Sequence, residues 1–232
     1  MQDWIKYFFS FDGLNTLLVY FLLVTPIIVA SGGVARHLIG LKMMSLTVFL
    51  IITYVLAFLF QDNTLLSVGF GLVLLIFIYF FSYLVKKLTV DAGLHYFSRI
   101  ALIISLVSIF SLILIITFSK LININDYLEY LAVNPFAVLL AVVLSEYFSA
   151  NQIQKGYKTS RILFWNTLTL STIVAFVVSL HLVQSFILDY PYLVLAFVLI
   201  SYLVGRYQGV RLTEVLRFNN ITKLNAKELH ND

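Results

Sequence analysis

The sequence predicts an all-α polytopic membrane protein: a bundle of seven transmembrane helices, N-terminus outside and C-terminus cytoplasmic, closed by a short cytoplasmic amphipathic helix. Three observations predict it. Of 232 residues, 61% are hydrophobic and 11% charged, with a mean hydropathy of +0.99, whereas soluble domains run at about 45–50% and roughly 25%. The apolar residues fall in uncharged runs as long as a helix needs to cross a ~30 Å hydrocarbon core, roughly 20 residues at ~1.5 Å each. Lys and Arg collect in alternate connections. An ordinary globular enzyme and a disordered tail are excluded by the composition, and the absence of cysteine excludes a disulfide scaffold, a thiolate metal site and a cysteine nucleophile.

Segment 1–13, MQDWIKYFFSFDG, carries Trp4, Tyr7, Phe8, Phe9 and Phe11, and such an aromatic, amphipathic stretch suits the outer membrane interface. The transmembrane domain, 14–205, contains seven expected spans: 14–30, 43–60, 64–85, 100–119, 131–148, 162–183 and 190–205. Runs such as LVLLIFIYFFSYLV lack the polar alternation of a barrel strand. The fifth span is the most irregular, with Asn134–Pro135 at its start. The cytoplasmic tail, 206–232, places Leu212, Val215 and Leu216 on one apolar stripe flanked by Arg211, Arg217 and Lys223. Such a helix rests on the membrane surface or docks a soluble partner.

Basic residues orient the bundle, because short loops rich in them stay in the cytoplasm. Thirteen of the 15 follow spans 1, 3, 5 and 7, leaving only Lys6 and Lys120 on the other side. The first span is expected to be retained, since it lacks the basic n-region and short core of a cleaved signal. A multi-pass protein of the inner, cytoplasmic membrane follows. The positive charge suits anionic headgroups, and its spread over short loops disfavours nucleic acid.

Ionisable residues inside apolar spans are costly and mark candidate sites. There are two, Glu146 near the cytoplasmic end of span 5 and His181 near the external end of span 6. They are expected most of a bilayer apart, which argues against an acid–base pair. Glu146 is either an interfacial carboxylate paired with Arg161 or Lys158, or a contact to substrate or partner. Ser31-Gly32-Gly33 either lets a neighbouring helix approach closely or breaks span 1 beside Arg36 and His37. Gly205 and Gly209 form a G-x-x-x-G at the membrane edge, and Asn134–Pro135 marks a gating element or a shortened helix. No zinc-binding H-E-x-x-H, phosphate loop, nucleophile elbow or intramembrane aspartate pair occurs. No catalytic set, cofactor site or metal site is therefore expected.

The stretch 205–218, GRYQGVRLTEVLRF, resembles the closing G-R-Y-x-G-x-R-L-x-E-x-L-R-F of the bacterial seven-transmembrane domain found fused to an inactive transglutaminase-like domain. Ala35-Arg36-His37-Leu38-Ile39-Gly40-Leu41 is similar to that family's A-R-x-x-x-G-[IL], Ser98-Arg99-Ile100-Ala101 to its P-R-L-A, and Glu146-Tyr147-Phe148-Ser149 to its E-R-F-S. The chain departs from the family pattern at Leu41-Lys42-Met43-Met44 and at Ala150-Asn151-Gln152. More distantly the domain is similar to the multi-span subunit of poly-γ-glutamate capsule synthases. The resemblance implies a non-catalytic membrane subunit of a system that makes, modifies or exports an amino-acid polymer or peptide. Its implied partners are a cytoplasmic ATP-grasp ligase, other membrane subunits and an anionic polymer, beside the lipid bilayer itself.

Under that reading the contact residues are Arg36, His37, Arg99, Glu146, Arg161, Arg206, Arg211 and Glu214, with the arginines pairing carboxylates through bidentate hydrogen bonds. The alternative is a stand-alone transporter or channel for a small solute, gated at Gly32, Gly33, Asn134 and Pro135, with Gly205 and Gly209 as packing positions.

Overall fold

The computed structural model describes residues 16–59, 64–90, 96–121, 135–206 and the single residue Glu214. Every element among them is helical: α1 (Thr16–Val34), a π-helical turn (Ala35–Ile39), α2 (Leu46–Phe58), α3 (Thr64–Val90), α4 (Tyr96–Leu121), α5 (Pro135–Lys155), α6 (Tyr157–Ser179), α7 (His181–Asp189) and α8 (Leu193–Arg206). Four helices are long and apolar enough to cross a membrane, Val19–Ile39, Ser67–Lys87, Phe136–Lys155 and Tyr157–Ser179. The pair α7 and α8, bent by 98°, makes a fifth if taken as one span, and Leu46–Phe58 and Ile100–Leu114 are shorter apolar helices. The described chain divides into two compact units.

The first unit takes in α1, the π-helical turn, α8 and residues 184–189 of α7. In α1, Pro26 sits mid-helix. Its missing N–H leaves the Leu22 carbonyl without its helical donor; nearby, Thr25 Oγ1 donates to the Phe21 carbonyl at 2.9 Å and Ser31 Oγ to that of Ile28 at 2.7 Å. The helix is continuous through Gly32 and Gly33, without a break at either; the π-helical turn begins two residues after Gly33, at Ala35. Gly40 ends that turn at φ 84°, with its own N–H and that of Leu41 both directed at the Ala35 carbonyl. Only glycine takes this left-handed conformation without cost. A Cβ on Gly33 would stand 4.0 Å from Val204 Cγ1, so the C-terminal turns of α1 and α8 meet where these two helices pack.

The second unit comprises residues 47–183, nearly all of α2 with α3 to α6. Helices α3, α4 and α5 pack on one another, and α6 packs on α3 and α5. α2 is buried over most of its length and tied on two sides by hydroxyls. Ser67 Oγ donates to the Leu56 carbonyl at 2.7 Å and accepts from the Leu59 N–H at 3.0 Å. Ser171 and Ser179 donate to the carbonyls of Phe49 and Ala57, each at 3.4 Å. Equal steps of eight residues along each helix require α2 and α6 to be parallel. Leu59, Phe70 and Ala137 form a further buried cluster, closed by Leu114 and Val138.

The outer surface of this unit is unlike that of a soluble protein. Ser82, Ser111, Ser145, Thr167 and Ser171 are buried, while Leu112, Ile113, Ile162, Ile173 and Phe176 are exposed. An apolar outer surface of this extent would aggregate in water and is the ordinary surface of a protein solvated by lipid.

Several helix boundaries differ from the apolar runs, among them those around 180 and 190. The run 162–183 is not one helix: α6 starts earlier, at Tyr157, and stops at Ser179, where Leu180 is extended at ψ 128°. His181 then opens α7 as an exposed residue. Near 190, Pro191 lies in a turn in which Leu193 N–H bonds the Tyr190 carbonyl at 3.0 Å, delaying α8 to Leu193. Pro135 is the first residue of α5, the helical position at which proline's missing N–H costs nothing. It starts this helix and does not interrupt it.

Candidate functional site

The most chemically distinctive place in the second unit is where α3, α5 and α6 meet, close to the α5–α6 turn. Three rings lock the helices there. Tyr79 stacks on Phe164 with centroids 4.1 Å apart, and Phe148 meets Tyr79 and Phe164 edge-on at 5.5 and 5.2 Å. Phe148 and Phe164 are fully buried and Tyr79 nearly so. Aromatic pairs in these geometries add about 0.5–1.5 kcal/mol each beyond the area they bury.

Polar groups share this apolar frame. The Tyr79 hydroxyl donates to Ser160 Oγ at a long 3.5 Å. Ser145, Ser149 and Gln152 are 0%, 0% and 1% exposed, and neither serine hydroxyl nor either atom of the Gln152 amide has a hydrogen-bond partner. The amide lies alongside the Tyr79 hydroxyl without reaching hydrogen-bond geometry. Outside this core, the Tyr83 and Tyr157 rings meet at 4.3 Å, tilted by 35°, and the Arg161 guanidinium lies 5.8 Å from the Tyr157 ring centroid, within cation–π range. Gly156 links the helices at φ 76°, ψ 159°, a region essentially reserved for glycine. The set is uncharged inside and cationic outside. It offers hydroxyls and an amide for hydrogen bonding, with no nucleophile–base pair; among the described residues no group of three His, Asp or Glu could hold a metal ion.

The residues nominated from sequence divide between the units. In the first, Arg36 and His37 lie on the π-helical turn, which packs against α8, the helix ending in exposed Arg206. In the second, Arg161 and Glu146 are both exposed, and Glu146 pairs with neither Arg161 nor Lys158. Arg99 lies in the first turns of α4, but its side chain is outside what the structure describes; Asn134, Gly209 and Arg211 are outside the described residues. Glu214 is exposed.

Two of the glycines chosen for close packing, Gly33 and Gly205, are loosely surrounded. Gly33 has only Val204 at 4.0 Å, and Gly205 has nothing within 4 Å. The close approach is at Gly71, where a Cβ would meet Leu56 Cδ2 at 3.0 Å and Leu56 Cα at 3.4 Å. The junction around Gln152 was also missed, although the signal is visible: Ser145, Ser149 and Gln152 are spaced i, i+4, i+7, which places them on one helix face.

No family model, curated protein or solved structure matches this chain.

Proposed function

We propose that this chain is a non-catalytic integral subunit of a membrane system that synthesises, modifies or exports an amino-acid polymer or peptide, working with a cytoplasmic ATP-grasp-type ligase. In this reading it crosses the membrane seven times with its C-terminus in the cytoplasm. The observation that carries it is the packing of the π-helical turn, which holds Arg36 and His37, against α8, which ends in Arg206. These segments lie some 170 positions apart in the chain; the first holds one of the motifs by which the sequence resembles the seven-transmembrane family, and the second ends in Gly205 and Arg206, the first two residues of another. Their meeting sets two guanidinium-bearing segments at one end of a helix pair, a chemistry suited to carboxylates on a polymer or a partner surface. The parallel run of α2 with α6 also suits a serial seven-span bundle, in which odd spans run one way and even spans the other.

The test is purification of the tagged protein from its native membrane in mild detergent, with mass spectrometry of the chains that accompany it. Recovery of an ATP-grasp ligase is expected, and Arg36→Ala with Arg206→Ala should weaken its retention. At about 1 kcal/mol per exposed ionic contact, the double variant loses roughly 30-fold in affinity. Unchanged retention of the ligase by the double variant, or recovery of the protein alone, would overturn the assignment.

A further inference from the structure

We propose that the buried face of α5 formed by Ser145, Ser149 and Gln152, together with Tyr79 of α3 and Ser160 of α6, is a binding site for internal water molecules. The inference is independent of the proposed function. It rests first on the unpartnered groups: two hydroxyls and a whole carboxamide, all but sealed from solvent, find no partner in the protein. Leaving such groups dry is expensive, and native interiors supply a protein or water partner for nearly all of them.

The second observation concerns how serines and threonines behave elsewhere in this chain. Thr25, Thr53, Ser82, Thr117, Thr167 and Thr172 each donate to the carbonyl four residues earlier, at 2.7–2.9 Å. That local bond is the ordinary refuge of a hydroxyl in a membrane helix. Ser145 and Ser149 do not use it. Their hydroxyls are left to bond something else, as is the amide one turn further on, and the face they share extends about 10 Å along α5 at ~1.5 Å per residue.

The chemistry of the face selects water. All five side chains are neutral and each both donates and accepts, as water does, whereas a desolvated ion wants a shell of dipoles all turned one way or an opposite charge. A water makes about three hydrogen bonds, which suits one bridging Gln152 to the Tyr79 hydroxyl and another bridging Ser145 to Ser149. The long 3.5 Å contact from Tyr79 to Ser160 leaves the phenol free to share itself with the first of these. The site would give the α3–α5–α6 junction a hydrated polar centre inside an aromatic frame.

Bound water can be read directly by radiolytic hydroxyl-radical labelling in nanodiscs, because radicals formed from an internal water modify the rings beside it. Tyr79, Phe148 and Phe164 should label several-fold above Phe49, a fully buried ring in α2. Labelling of the three rings at the level of Phe49 would overturn the proposal. Gln152→Leu should cut the labelling of Tyr79 and lower the melting temperature. A melting temperature that rises in this variant, with labelling unchanged, would show that the amide is dry and also overturn it. Should Gln152→Leu fail to fold, the comparison of rings in the unmodified protein decides alone.

Discussion

Replacing Gly71 with Ala puts a methyl group into the contact between α2 and α3. It would lie 3.0 Å from Leu56 Cδ2, which must shift to admit it, while Leu56 Cα at 3.4 Å and the Val55 carbonyl at 3.6 Å are in ordinary contact and limit where that side chain can go. Overpacking of this kind costs about 1–3 kcal/mol. Against it stands the gain in helix propensity from Gly to Ala, about 1 kcal/mol. The net loss is therefore about 0–2 kcal/mol for Gly71→Ala. Gly71→Val, with two more methyls against fixed backbone, should lose about 3 kcal/mol or more. Gly69 is the internal control, since it lies on the same helix with nothing within 4 Å of its would-be Cβ; Gly69→Ala should be neutral or slightly stabilising. The assay is denaturant unfolding in detergent followed by tryptophan fluorescence. Thiol-reactive dyes have nothing to report on, because the chain has no cysteine. A Leu56→Ala, Gly71→Val double variant closer to the wild type than Gly71→Val would locate the clash at Leu56. Equal effects of valine at positions 69 and 71 would refute the reasoning.

Other outcomes follow from the same geometry. Gly156→Ala should destabilise the protein by about 1–3 kcal/mol although no atom lies within 4 Å of the new methyl, because the cost is in the backbone at φ 76°; thermal unfolding checks it, and a neutral result would mean that the α5–α6 link is not held in this conformation. Ser67→Ala should cost about 1–2 kcal/mol, since one hydroxyl serves both the Leu56 carbonyl and the Leu59 N–H. Ser171→Ala and Ser179→Ala, which remove 3.4 Å bonds, should each cost only about 0.6 kcal/mol, so the order of the three in denaturant midpoint is the test. Glu146→Gln should leave stability unchanged, because the carboxylate is exposed and pairs with neither Arg161 nor Lys158.

Composition and hydrophobic run length determined that this is a helical protein of the membrane, because a backbone in hydrocarbon must satisfy its own hydrogen bonds and needs about 20 apolar residues to do so across the core. They also determined roughly where the helices lie, from Pro135 at the start of α5 to the connection near Gly156. Which face of each helix turns inward was not legible. In a helix apolar all round, the period that marks a buried face in a soluble protein is lost, since lipid and core accept the same side chains. Only the tertiary structure could show that Gly71, and not Gly33 or Gly205, is the close contact, or that α6 stops at Ser179 without a proline or glycine to announce it. The same holds for the junction of Tyr79, Phe148, Phe164 and Gln152. α3 and the consecutive pair α5 and α6 supply these groups from separate parts of the chain, and a glutamine among other polar residues near a helix end looks solvated until the packing buries it.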